Sequence, residues 1–160
     1  MSIDAISNYL IHFTEGGNTL EGICEEHSLA DHIPADLYPI QKYDSDTERR
    51  FSVIFENDKS VTKLVKPGKG NFRIHYTAEA EYEPDFVAET ADAYYLCEPK
   101  DESEMDDTTV QAKARAAAQS CKHATGVSSK PWKYLLIPHT AVDESKSLAG
   151  LAAQYTVEAE

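Results

Sequence analysis

Asp85, Glu98 and Lys100 stand in two short segments, Tyr82-Glu83-Pro84-Asp85-Phe86 and Leu96-Cys97-Glu98-Pro99-Lys100, whose spacing allows them to meet. Both segments have strand character, with Tyr82, Phe86 and Val87 in the first and Tyr94, Tyr95 and Leu96 in the second. Thr90-Ala91-Asp92-Ala93 between them is turn-like. A turn centred on Ala91 and Asp92 pairs Glu89 with Tyr94, Val87 with Leu96 and Asp85 with Glu98. Directly opposed residues share a sheet face with Cβ atoms roughly 5 Å apart, and Lys100, two residues beyond Glu98, lies on that same face. Two carboxylates so placed repel each other unless a divalent cation sits between them. The hairpin therefore proposes a metal site.

The elements that must hold this hairpin follow from periodicity. Ile3, Ile6, Leu10 and Phe13 recur at helical spacing until Gly16-Gly17-Asn18 breaks the pattern. Residues 20–40, acidic and interrupted by Pro34 and Pro39, read as a weakly specified lead-in. Ser45-Asp46-Thr47-Glu48 has the form of a capping box, and Phe51, Ile54 and Phe55 continue it as an apolar helical stripe to Asn57-Asp58. Thr62–Val65, the turn Lys66-Pro67-Gly68-Lys69-Gly70 and Phe72–Tyr76 predict a hairpin leading into the two motif strands. Thr108-Thr109-Val110-Gln111 predicts a second capping box, opening a helix with apolar Val110, Ala114, Ala117, Ala118, Cys121 and Ala124 that Gly126 closes. The apolar run Trp132–Ile137 suits a strand buried on both faces, ended by Pro138, and an alanine-rich helix is expected from about Asp143 to Tyr155. The division is a lead-in over 1–42, an α/β domain over 43–142 and a C-terminal helix and tail over 143–160.

At 160 residues with 41% hydrophobic and 27% charged side chains, the chain has the composition of one globular domain. No apolar run approaches the ~18 residues of a membrane span, and the start Met1-Ser2-Ile3-Asp4 has no basic region of a secretory signal. A cytoplasmic location is the expectation. Cys24, Cys97 and Cys121 are odd in number and widely spaced, so neither a disulfide framework nor a thiolate zinc site is indicated. His12, His27, His32, His75, His123 and His139 show no metal-binding spacing.

The net charge of −13 opposes unaided binding to nucleic acid, but the charges fall in blocks. Residues 59–78 carry 5 bases and no acid, 79–107 carry 12 acids and 1 base, and 108–142 carry 5 bases and no acid. Two basic stretches thus bracket the acidic hairpin. Lys63, Lys66, Lys69, Arg73, Lys113 and Arg115 are the candidates for holding a phosphate backbone beside a carboxylate-bound cation.

The order of helix, strands, Pro84-Asp85, Glu98-Pro99-Lys100, helix and strand resembles the PD-(D/E)xK nuclease superfamily. The flanks Phe72-Arg73-Ile74-His75-Tyr76, Val110-Gln111-Ala112-Lys113-Ala114-Arg115-Ala116-Ala117 and Trp132-Lys133-Tyr134-Leu135-Leu136-Ile137-Pro138 are similar to the C-terminal endonuclease region of type III restriction enzymes and related DEAD/DEAH-box helicase-like proteins. The resemblance covers about residues 43–142. It implies an α-β-β-β-α-β core with a mixed central sheet flanked by helices. It implies a DNA endonuclease using Mg²⁺ or Mn²⁺, held by Asp85, Glu98 and the Pro99 main-chain carbonyl, with Lys100 positioning water. Glu48 and Gln111 are implied as supporting residues, although each also fits the third position of a capping box. Family members carry this domain behind a helicase motor. Here there is no Gly-x-x-x-x-Gly-Lys-Ser/Thr phosphate loop, so the implied partners are DNA, a separate helicase or ATPase and a methyltransferase subunit, with no membrane.

Two positions depart from the family. Pro99 replaces the usual β-branched or aliphatic residue and forfeits a ladder hydrogen bond, which predicts altered strand geometry beyond Glu98. Asp101 is placed to draw Lys100 away from the site. The alternative reading is a catalytically degenerate nuclease fold serving as an interaction module, or an acidic domain that binds a basic partner or mimics DNA.

Overall fold

The computed structural model describes residue 43, residues 45–68 and residues 70–159. The expected first helix, the lead-in over 1–42 and Lys69 lie outside the described residues.

Ser45 caps the first helix, α1 (Asp46–Asn57), its hydroxyl accepting from the Glu48 backbone N–H at 3.2 Å, as the capping box predicts. There follow β1 (Val61–Val65), β2 (Ile74–His75), β3 (Glu81–Tyr82), β4 (Phe86–Thr90) and β5 (Tyr94–Lys100). After a short 3₁₀ turn at Glu102–Glu104 come α2 (Thr108–Thr125), β6 (Trp132–Pro138), α3 (Leu148–Tyr155) and β7 (Thr156–Val157). The main sheet has five strands in the order β1-β4-β5-β6-β7. β4 runs antiparallel to β1 and β5, β6 parallel to β5, and β7 antiparallel to β6. The protein is thus mixed α/β, with three helices among the described residues. No helix among them is long and apolar enough to cross a membrane.

Strand alternation sends side chains into two cores. On one face Phe86, Ala88, Tyr95, Cys97, Leu135 and Ile137 meet Phe51, Ile54 and Phe55 of α1 and Leu148 and Leu151 of α3. The rings of Phe51, Phe55 and Phe86 lie 4.7 to 5.6 Å apart, centre to centre. On the other face Val87, Leu96, Tyr134 and Leu136 meet Ala114, Ala117, Cys121 and Ala124 of α2. These alanines let the α2 axis approach the sheet closely, and the small β2-β3 hairpin covers what α2 leaves, through Ile74 and Tyr82.

Three local expectations are corrected. The segment 72–76 does not pair with β1: Ile74 and His75 pair with Tyr82 and Glu81 in a separate sheet, and β1 pairs instead with β4. The long-range partner wins because Leu64 and Val65 become buried against β4, whereas Ile74 is buried against Tyr82 in the β2-β3 hairpin. Asp107, not Thr108, caps α2, its carboxylate accepting from the N–H groups of Thr109 and Val110, so Gln111 falls one residue past the capping-box position. A carboxylate there also answers the positive end of the helix dipole. Finally, α3 begins at Leu148 behind a Ser147 cap, and residues beyond it enter the sheet as β7. The segment after 142 thereby contributes buried Leu148, Leu151 and Ala152 to the core.

Candidate metal centre

The β4-β5 register is the one read from the sequence: Glu89 faces Tyr94, Ala88 faces Tyr95, Val87 faces Leu96 and Phe86 faces Cys97. One further step places Asp85 opposite Glu98. Thr90 N–H donates to the Ala93 carbonyl at 2.9 Å, closing the turn, and the Thr90 hydroxyl accepts from the N–H groups of Asp92 and Ala93. β5 then continues unbroken through Lys100, paired in parallel with Pro138.

That continuity answers the expectation about Pro99. Backbone N–H and C=O groups of one residue point to the same side of a strand and alternate along it. The Tyr94 N–H donates to the Pro131 carbonyl on the β6 side, so those of Glu98 and Lys100 also face β6. Pro99, like Ala93, then points its backbone toward the β4 side. There the ladder has already stopped at Phe86, and the residue that would face Pro99 is Pro84. Neither ring nitrogen carries a proton to donate. No pairing is lost, and the Pro99 carbonyl opens into the gap where β4 and β5 part.

Asp85 and Glu98 fall at this gap. The acidic site lies at the carboxyl ends of the parallel strands β1, β5 and β6, where α/β sheets form their ligand clefts. Glu98 is only 7% exposed. One of its oxygens is 3.4 Å from Lys100 Nζ, and the other, Oε2, is buried with no hydrogen-bond partner. An orphaned carboxylate oxygen is costly without a cation or donor. Burial raises the Glu98 pKa, with Lys100 and Lys113 opposing it. Burial, then the charges of Glu98 and Glu48, push Asp85 up to about 7, against the pull of Lys100 and Lys66. Burial works against the Lys100 ammonium, but Glu98 and Asp85 outweigh it, and its pKa rises. Lys100 is thus a fixed positive charge at neutral pH.

Of the residues singled out from the sequence, the fold gathers Asp85, Glu98, Lys100 and Glu48, with Lys66 and Lys113 at the margins. The Glu48 side chain comes from the first turn of α1 and is ion-paired with Lys66. Lys113 Nζ lies 5.5 and 5.8 Å from the ring centres of Tyr76 and Tyr82. Asp101 does not draw Lys100 away: its Oδ1 accepts from the Ser103 N–H and hydroxyl, and its Oδ2 is 3.6 Å from His139 Nδ1. Other candidates lie elsewhere. The Gln111 amide donates to the Met105 carbonyl at 2.7 Å, tying the 101–107 loop to α2. Lys63 is paired with Glu89 at 3.1 Å, at the far end of β4, and Arg73 with Glu81 at 3.2 Å. Sequence reading missed Glu83, whose carboxylate accepts from the backbone N–H of Gly70 and so moors the loop after β1 to the residue before Pro84-Asp85. Gly70 has φ of 86°, a left-handed conformation that glycine adopts without strain.

The residue types suit a hard divalent ion, which prefers carboxylate and carbonyl oxygens: Asp85, Glu98 with its orphaned oxygen, and Pro99 with its main-chain carbonyl all stand where the β4-β5 ladder ends. Among the described residues no three His, Cys, Asp or Glu side chains form a ligand cluster. When bound, such an ion lowers the pKa of water and neutralises charge developing on a phosphoryl group. Compared with protein-family models, curated proteins and solved structures, the chain matches none of them.

Proposed function

We propose that the chain is a metal-dependent DNA endonuclease domain of the PD-(D/E)xK kind, resembling those of type III restriction enzymes. The observation that carries this reading is Glu98: a buried carboxylate with one oxygen held near Lys100 and the other unanswered, beside a second acid raised toward neutrality. The element order, α1, β1, β4, β5, α2, β6, with β2 and β3 inserted as a separate hairpin, supports the α-β-β-β-α-β core that the resemblance implies.

In this reading Asp85 and Glu98 bind Mg²⁺ or Mn²⁺ together with the Pro99 carbonyl. Lys100, charged and anchored by Glu98, orients the attacking water and faces the phosphate rather than accepting a proton. Lys66 and Lys113 flank the acids and hold the strand backbone. A net charge of −13 keeps intrinsic affinity for DNA low, so a helicase or ATPase and a methyltransferase partner would supply the grip on DNA. The test is nicking of supercoiled DNA at low ionic strength with Mg²⁺ or Mn²⁺. Asp85→Ala and Lys100→Ala should each reduce cleavage at least about a hundredfold while leaving the circular dichroism spectrum and cooperative unfolding intact. Equal cleavage by wild type and both variants, or a thermal midpoint indifferent to either metal, would leave the interaction-module reading in its place.

A further inference from the structure

A cavity of about 380 Å³ opens on the flank of α2 away from the acids, bounded by Tyr76, Arg115, Gln119 and Glu158 over a floor of Ala112 and Ala116. Its origin is plain. Ala112 and Ala116 lie one turn apart with only methyl groups, between Tyr76 beyond the β2 strand and the chain that leaves β7. The volume falls within the ~300–1,000 Å³ of small-molecule sites. The lining is chemically mixed: an aromatic ring, a guanidinium, an amide and a carboxylate. Arg115 and Glu158 enter no ion pair among the described residues, although Gln119 Nε2 is 3.2 Å from His123 Nε2. The cavity is linked to the acidic site through Lys113, which sits between the Tyr76 ring that borders the cavity and the Tyr82 ring of the buried face, and whose charge acts on Glu98.

We propose that this cavity binds an unpaired guanine base of the nucleic-acid substrate, with the adjoining phosphate directed to Lys113. The chemistry matches group by group. Tyr76 offers a stacking surface for a base. Arg115 is the side chain that pairs with the guanine O6 and N7 acceptors. Glu158 accepts from the guanine N1–H and exocyclic amine, donors that adenine does not present together. A flat ring over Ala112 and Ala116 fills the hollow that those methyl groups leave. The duplex would meet the protein with one nucleotide unstacked, a conformation obtained at least cost in a single-stranded or mismatched segment.

This assignment rests on the nuclease reading for its substrate class, and its test is independent of cleavage. Fluorescence anisotropy in EDTA at low ionic strength compares labelled oligothymidine strands carrying one central guanine or one central adenine. The guanine strand should bind the full chain about tenfold more tightly. Glu158→Gln should erase that preference, Arg115→Ala should weaken the guanine strand alone, and Tyr76→Ala should weaken both strands. These side chains lie at the surface or partly so, and a thermal midpoint within a few degrees of wild type verifies that each variant folds. Equal binding of the two strands, no binding of either, or a preference that survives Glu158→Gln would overturn the proposal. Cleavage without guanine preference would overturn this proposal and leave the nuclease reading standing; guanine-selective binding without cleavage would do the reverse.

Discussion

The β4-β5 hairpin carries carboxylates on one face at both of its ends, and the two ends are treated in opposite ways. At the turn end, Glu89 is clasped by two lysines, with Lys130 at 2.6 Å and Lys63 at 3.1 Å. Lys130 also donates to the Thr90 carbonyl and lies over the Tyr94 ring, which stacks on Trp132 at 4.6 Å. Burial would raise the Glu89 pKa, but the two lysines outweigh it and hold it below the ordinary range. At the open end, Asp85 and Glu98 share the influence of Lys100 and are pushed the other way. Each end has acids half or wholly out of water; only at the turn end do the lysines outweigh burial. The difference teaches that the turn end is an ion-pair cluster that holds strands together, whereas at the open end burial outweighs the lysines around the acids.

The largest effect should come from cutting a carboxylate at each end. Glu89→Ala leaves two lysines partly buried without their anion and should destabilise the domain by about 2 kcal/mol, whereas Glu98→Gln removes a repulsive charge and should raise metal-free stability or leave it unchanged. Urea titration of both variants decides it, and equal losses would erase the contrast. A smaller effect lies in pH. Asp85 binds its proton more tightly folded, with a pKa near 7 against an ordinary 3.8, so its stabilising contribution is complete below about 3.8 and is lost as pH rises through about 7. In EDTA the thermal midpoint should therefore fall between pH 5.5 and 8.5, by up to about 3 °C per pH unit. Mg²⁺ should reverse the trend, and Asp85→Asn should flatten it; a midpoint that climbs with pH in EDTA would contradict the proposed proton linkage. The smallest effect concerns the flanking lysines. Lys66→Met removes a positive charge that competes for Asp85, and should tighten Mn²⁺ binding about threefold by calorimetry, while Lys63→Met, at the other end, should not change it.

How much of this was legible in the sequence depended on how local the cause was. The register of Asp85 against Glu98 followed from counting back from one tight turn, and the Ser45 cap from four consecutive residues. Such features are decided by neighbours in the chain. The pairing of β1 with β4 was not legible, because a nearer apolar segment, Phe72–Tyr76, offered an equally plausible partner by pattern, and the choice was made by burial across the sheet. The N-cap of α2 slipped by one residue because Asp107 and Thr108 are both good caps and only the carboxylate reaches two N–H groups at once. The clasp on Glu89 was invisible for a different reason: Lys130 is 41 residues away and arrives only once α2 has been laid across the sheet. Glu48 was singled out by position, and its charge does act on Asp85, yet its ion pair with Lys66 depended on where β1 ended.

The facing prolines at the mouth of the hairpin have one more consequence. A sheet that opens between two strands presents a template on which an extended segment of another chain could hydrogen-bond. Pro84 and Pro99 withhold the donors such an intruder would need, on both lips of the opening. Replacing both would offer two new N–H groups to a passing strand, so the rings leave this opening less able to template self-association.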